Sequence, residues 1–165
     1  MVREIITTGT RAQLASLTTV AHGGASASKS LPAETQSSRP GALVGIGYGL
    51  TEVNGVAAAL AADDYVERPD STGLPPPGVE LIIVDPDTLT AVPSGSPGEL
   101  WIRGPGVAKG YWGRPEATAE AFLPDGWFRS GDLARIDAEG FVYILDRVKG
   151  ECSSLSTFLN SQPDK

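Results

Sequence analysis

The chain has 165 residues, 41% of them apolar and 20% charged, which suits one modest domain or a piece of a larger one. Thirteen basic residues against twenty acidic ones leave a net charge of −7, the wrong sign for a general nucleic-acid surface or an anionic membrane. A single cysteine, Cys152, and a single histidine, His22, exclude an intrachain disulfide and a Cys/His zinc site.

No stretch reaches the roughly 18 consecutive apolar residues of a membrane span, and the first residues, MVREIITTGTR, lack the basic-then-apolar order of a secretion signal. A soluble, cytoplasmic protein is expected.

Leu14, Leu17 and Val20 have helical spacing, which predicts a helix near Arg11–Leu17 and a short strand over Thr18–Ala21 running into Gly23-Gly24. Paired glycines at a strand end suit a backbone that closely approaches a ligand or another chain. Ser26 to Pro40 is polar and serine-rich, a loop with one weak helix at most. Leu43–Ile46 has the composition of a buried strand ending at Gly47-Tyr48-Gly49, and Val56–Ala62 is a strand or a packed turn. Four prolines and two glycines between Pro69 and Gly78 make that segment a connector, where a subdomain boundary is expected. Beyond it, Val79–Val84 is a strand, Asp85-Pro86-Asp87 a turn, and Glu99–Arg103 alternates like a half-buried strand. Pro115 to Phe122 suits a helix with proline in its first turn. Trp127–Ile136 and Phe141–Leu145, joined through Asp137-Ala138-Glu139-Gly140, form a hairpin pattern. There is no internal repeat. Glu151 to Lys165 has no periodicity and is expected to be a mobile tail.

Two segments carry candidate chemistry. In Tyr48-Gly49-Leu50-Thr51-Glu52 an aromatic ring, a glycine, a hydroxyl and a carboxylate stand within five residues. The ring can stack on a purine and the hydroxyl can bond a phosphate oxygen. The carboxylate can hold Mg²⁺, which takes one or two carboxylates beside phosphate oxygens and water. A turn with a surface glutamate and a half-buried tyrosine is the alternative. In Gly126–Leu133 the aspartate Asp132 follows a glycine and precedes an apolar strand. It could accept bonds from a ribose diol or simply cap a turn.

The order of HGGAS (His22–Ser26), GYGLTE (Gly47–Glu52), GELWIRGP (Glu99–Pro105), KGYW (Lys109–Trp112), GWFRSGDLA (Gly126–Ala134) and LDRVKG (Leu145–Gly150) resembles the adenylate-forming superfamily: acyl-CoA synthetases, luciferases and peptide-synthetase adenylation domains. The wording is most similar to the fatty-acyl and aryl-CoA ligase branch, over about Leu14 to Lys149. The resemblance implies that Gly23, Gly24 and Ala25 line the adenine pocket and the acyl tunnel. It implies that Tyr48, followed by Gly49, stacks on adenine with Ile144 nearby. Thr51 would contact phosphate and Glu52 would bind Mg²⁺, both as catalytic residues. Asp132 would hold the ribose hydroxyls, Arg147 would reach the ribose, and Asp146 would be the hinge for a small C-terminal domain. On residue chemistry alone Asp146 and Arg147 read equally as a surface ion pair. The implied ligands are ATP or AMP, Mg²⁺, coenzyme A and a carboxylic acid.

The same resemblance implies a mixed α/β fold: an incomplete N-terminal domain, with the end of an α/β subdomain over 1–68 and a β-barrel-like subdomain over 69–150. The superfamily's phosphate-gripping loop has no counterpart, since Thr7-Thr8-Gly9-Thr10 sits too close to His22 and lacks a Pro-Lys-Gly ending. The text after Lys149 matches nothing in the small domain, so that domain's catalytic lysine is also without counterpart. The expectation is a piece of an acyl-CoA synthetase, inactive alone and with open strand edges. The alternative is a non-catalytic interaction module, or truncated product, that pairs with a full-length relative.

Overall fold

The computed structural model describes residues 2–10, 12–24 and 28–147; the expected tail lies outside them, as does Ala25. The fold is mixed α/β. Helix α1 (Val2–Thr8) leads to β1 (Thr19–Gly23), α2 (Leu31–Ser38), β2 (Leu43–Leu50), a 3₁₀ turn (Thr51–Val53), β3 (Gly55–Ala61) and α3 (Ala62–Glu67). Then come β4 (Glu80–Val84), β5 (Gly98–Arg103), α4 (Pro115–Ala121), β6 (Phe128–Ile136) and β7 (Val142–Arg147). One sheet has the order β1-β2-β3, with β1 parallel and β3 antiparallel to β2. The other is the antiparallel meander β4-β5-β6-β7.

The two sheets share a core. Val53 of the 3₁₀ turn and Ala57 and Ala58 of β3 pack with Ile83, Leu100, Ile102, Phe128, Ala134 and Val142 of the second sheet. Each large side chain buried there stabilises the fold by about 1.5–3 kcal/mol. The proline-rich segment also joins the sheets edge to edge. Leu74 exchanges two backbone bonds of 3.0 Å with Ala59 of β3, while Gly73 accepts the Val142 N–H of β7 at 2.9 Å. Gly73 has φ +97°, and a Cβ there would lie 1.8 Å from the Ala59 carbonyl oxygen, so only glycine fits.

The helix expected at Arg11–Leu17 is instead a set of turns over 12–16, and the helix lies upstream as α1. The Gly9 N–H closes α1 on the Ile5 carbonyl at 2.9 Å. Thr10 and Gln13 then trade side-chain and backbone bonds of 2.9 and 3.3 Å, which compete with continuation of a helix. Gly47-Tyr48-Gly49 lies within β2 rather than past its end. Glycine lets β3 approach there: a Cβ on Gly49 would stand 1.9 Å from the Gly55 oxygen. Strand β5 is buried over Gly98–Ile102, not half-buried. Its alternate polar residue, Glu99, is covered through an ion pair with Arg129. Helix α3 had no periodic signal. The helix at Pro115 and the β6–β7 hairpin fall where expected, with Gly140 at φ +92° in the turn.

Candidate functional site

The C-terminal ends of β2 and β7 and the middle of β6 surround one cleft of about 600 Å³ between the two sheets. Gly24, Tyr48, Gly49, Asp132, Ile144, Asp146 and Arg147 all line it. A shallower hollow adjoins it, lined by Thr51 and Glu52 and sharing Gly49, Leu50 and Arg147 with the larger cleft. Gly23 is not in the lining; it pairs with Gly47, and a Cβ there would meet the Gly47 oxygen at 2.4 Å.

At the centre a phenol, a carboxylate and a guanidinium form a chain. The Tyr48 hydroxyl donates to Asp132 Oδ2 at 2.6 Å, and Arg147 Nε lies 3.0 Å from Asp132 Oδ1. Asp132 is 4% exposed, whereas the Arg147 side chain is 72% exposed. Burial, reinforced by the Asp132 carboxylate, pushes the Tyr48 phenol far above its ordinary value of 10.0, so the hydroxyl remains a donor at neutral pH. An irregularity in the β2–β3 ladder, where Ala57 of β3 is the extra residue opposite Tyr48 and Gly49, and one in the β6–β7 ladder, where Leu145 of β7 is the extra residue opposite Leu133 and Ala134, lie beside the cleft. Bulges redirect side chains next to functional sites. Asp132 and Arg147 are directly paired across β6 and β7.

Thr51 opens the 3₁₀ turn that leaves β2, and Asn54 ends that turn in the left-handed region at φ +52°. Glu52 is held from the other half of the chain. Tyr111 donates its hydroxyl to Glu52 Oε1 at 2.9 Å, and the Ala108 N–H bonds the Glu52 carbonyl at 2.7 Å. The Tyr111 ring packs edge-on to Phe122, with centroids 5.3 Å apart. Burial and the Glu52 carboxylate both raise the Tyr111 phenol.

Sequence reasoning missed Tyr111, although KGYW was in view; its pairing with Glu52 spans 59 positions and has no local signature. It also missed Lys29 and Asp70, which pair at 2.7 Å on the cleft wall. His22 Nε2 lies 2.8 Å from the Tyr65 hydroxyl, and burial lowers its pKa below 6.5. Asp146 accepts the Arg147 backbone N–H at 2.7 Å. Among the described residues there is no cluster of three or more His, Cys, Asp or Glu able to hold a metal. Glu52 is a lone carboxylate, the donor set expected where phosphate oxygens and water complete Mg²⁺ coordination. No helix among the described residues is long and apolar enough to cross a membrane.

The model of the "AMP-binding enzyme" family matches residues 1–112. The chain is 43% identical to 4-coumarate–CoA ligase-like 2 of Arabidopsis thaliana over 82% of its own length and 24% of that protein's. It is 42% identical to 4-coumarate–CoA ligase-like 4 of rice, Oryza sativa, over 79% of its length and 24% of the relative's. The chain thus spans about a quarter of the curated relatives it matches. The amide bond synthetase of Marinactinospora thermotolerans superposes with a TM-score of 0.74 at 37% identity, over 82% of this chain and 27% of that one. ATP-bound MatB of Rhodopseudomonas palustris gives 0.70 at 38% identity, over 78% of this chain and 25% of that one. On motif order, fold and these matches, the chain belongs to the AMP-binding, adenylate-forming enzymes and corresponds to part of their large N-terminal domain.

Proposed function

We propose that this chain carries the adenosine-binding part of an ATP-dependent acyl-CoA synthetase. The observation that supports this most is the convergence of Tyr48, Asp132 and Arg147 on one cleft. The Tyr48 ring offers a face for adenine. Asp132 offers two acceptor oxygens to a ribose diol, and Arg147, mostly exposed and anchored through Nε, keeps donors for the ribose. Gly24 leaves room at the adenine end, with Ile144 as an apolar wall. In the reaction a carboxylate oxygen attacks the α-phosphorus of ATP and pyrophosphate leaves. The thiolate of coenzyme A then attacks the acyl carbon and AMP leaves.

Thr51 would bond a phosphate oxygen, and Glu52, fixed by Tyr111, would hold Mg²⁺. Mg²⁺ would neutralise charge developing on the departing pyrophosphate. The division into an α/β part over 1–68 and a β-rich part over 69–150 belongs to the same proposal, with Asp146 as the hinge to a small domain in longer relatives. So does a cytoplasmic setting, where ATP and coenzyme A are both supplied. We further propose that this chain binds adenosine nucleotide but does not complete the transfer alone.

The test is calorimetric titration of the chain with AMP and ATP. Binding is expected, and Tyr48→Ala and Asp132→Ala are each expected to weaken it about tenfold or more. Unchanged affinity in both variants contradicts the site. Pyrophosphate release that depends on an added carboxylic acid contradicts the inactivity. A second reading, an interaction module for a longer relative, is favoured by one observation: among the described residues β1 is paired on one side only. A stable complex with such a relative in size-exclusion chromatography, without nucleotide binding, would support it.

A further inference from the structure

Asp132 reaches the cleft from an irregular piece of strand. On β6, Ser130, Gly131 and Asp132 stand opposite the single residue Leu100 of β5, because the register passes from Glu99↔Leu133 directly to Trp101↔Arg129. Gly131 lies at φ +71°, and the in-out alternation is lost: Asp132, Leu133 and Ala134 are all buried. Such a bulge re-aims a side chain but also disrupts the ladder that would fix it on the β5 side; Asp132 still pairs with Arg147 on the β7 side, so the β5 side must be held in another way.

Beneath it lies Glu99, 3% exposed and absent from the cleft lining. Glu99 Oε2 accepts from Trp101 Nε1 at 3.0 Å and from Arg129 Nε and Nη2 at 3.1 and 3.0 Å. Its other oxygen, Oε1, accepts the backbone N–H of Gly131 at 3.2 Å. Ser130 completes the arrangement: its hydroxyl donates to the Leu100 carbonyl at 2.6 Å and accepts the Asp132 N–H at 3.1 Å. Burying a carboxylate with a guanidinium gains little stability over an apolar pair, because desolvation offsets the attraction. A buried carboxylate, paired with a partly exposed guanidinium, whose other oxygen grips the residue before Asp132 is better explained by the geometry it imposes.

We infer that Glu99 is a positioning residue for nucleotide recognition: bonded to Gly131 and seconded by Ser130, it fixes the bulge from which Asp132 meets the ribose. This rests on the ribose role proposed for Asp132. Glu99 touches no ligand, so its contribution appears in selectivity for the ribose hydroxyls rather than in adenine stacking.

The experiment titrates the whole 165-residue chain with AMP, 2′-deoxy-AMP and 3′-deoxy-AMP, with affinity and fold both followed by NMR. Wild type is expected to prefer AMP over each deoxy analogue about tenfold, the loss of one bond to a charged acceptor. Glu99→Gln and Ser130→Ala are expected to reduce that preference to about threefold or less while the spectra stay dispersed. Asp132→Asn should abolish it, and Glu99→Gln should change nothing further in that background. A purely structural Glu99 would lower the folded fraction yet leave the preference intact in folded molecules. A folded Glu99→Gln with the full wild-type preference overturns the inference. Should that variant not fold, a folded Ser130→Ala with the full preference overturns it equally. A wild type indifferent to the deoxy substitutions refutes the ribose role of Asp132 itself, and the inference falls with it.

Discussion

Tyr48→Phe removes one oxygen and keeps the ring. That oxygen donates at 2.6 Å to an aspartate only 4% exposed. A hydrogen bond to a charged, buried acceptor contributes about 1.5–3 kcal/mol, and its loss leaves the acceptor partly unsatisfied. Arg147 cannot compensate: its side chain is 72% exposed, where an ion pair is worth at most about 1 kcal/mol. A loss near 2 kcal/mol lowers the melting temperature of a chain this size by about 4–8 °C. Thermal and urea unfolding of the two proteins, with equal urea dependence, measure it. Tyr143→Phe is the control, since its hydroxyl bonds Asp137 at 3.0 Å near the surface, and a loss below about 1 kcal/mol is expected there. A Tyr48→Phe melting temperature within about 1 °C of wild type would refute the reasoning. AMP affinity should fall little, because the stacking face survives.

Three further outcomes are expected. Tyr111→Phe keeps the ring on Phe122 but frees Glu52 Oε1. Mg²⁺ affinity measured in the presence of ATP should weaken about tenfold with AMP binding unchanged, and unchanged Mg²⁺ affinity counts against Glu52 as the ligand. Gly73→Ala forces a Cβ to within 1.8 Å of the Ala59 oxygen at φ +97°; the urea midpoint should reveal a loss of at least about 2 kcal/mol. Burial would raise the Asp137 carboxyl, but the Phe141 and Glu139 N–H groups and the Tyr143 hydroxyl outweigh it and hold it below its ordinary 3.8. Its contribution is therefore full above that value and is lost as pH falls through the lower folded-state one. The stability of Asp137→Asn should start lower at neutral pH and fall less in acid, and parallel profiles would contradict this.

The sequence made the second half of the chain legible because its signals are local. Proline at the start of α4, glycine in the β6–β7 turn and the apolar run of β4 each act within a few residues. The first half resisted. Gly9 and the Thr10–Gln13 exchange decide where α1 stops, and both outweigh the helical spacing of Leu14 and Leu17. Within β2, glycines that look like punctuation serve instead to admit β3. For the site, the residue types at Tyr48, Thr51, Glu52 and Asp132 are compatible with nucleotide chemistry and with ordinary turns, and it is the order of the motifs that points to a nucleotide. The contacts that organise them were not legible, because each joins distant positions: Tyr48 to Asp132 across 84 residues, Tyr111 to Glu52 across 59. Glu99 showed only as one polar residue in an alternating strand, with nothing in that pattern to indicate the bulge it supports.

The most direct test of the nucleotide site is a crystal structure of the chain soaked with AMP. The account predicts adenine against the Tyr48 ring and both ribose hydroxyls within hydrogen-bond distance of Asp132, with Arg147 beside them. AMP bound away from this cleft, or bound in it with the ribose turned from Asp132, would contradict it.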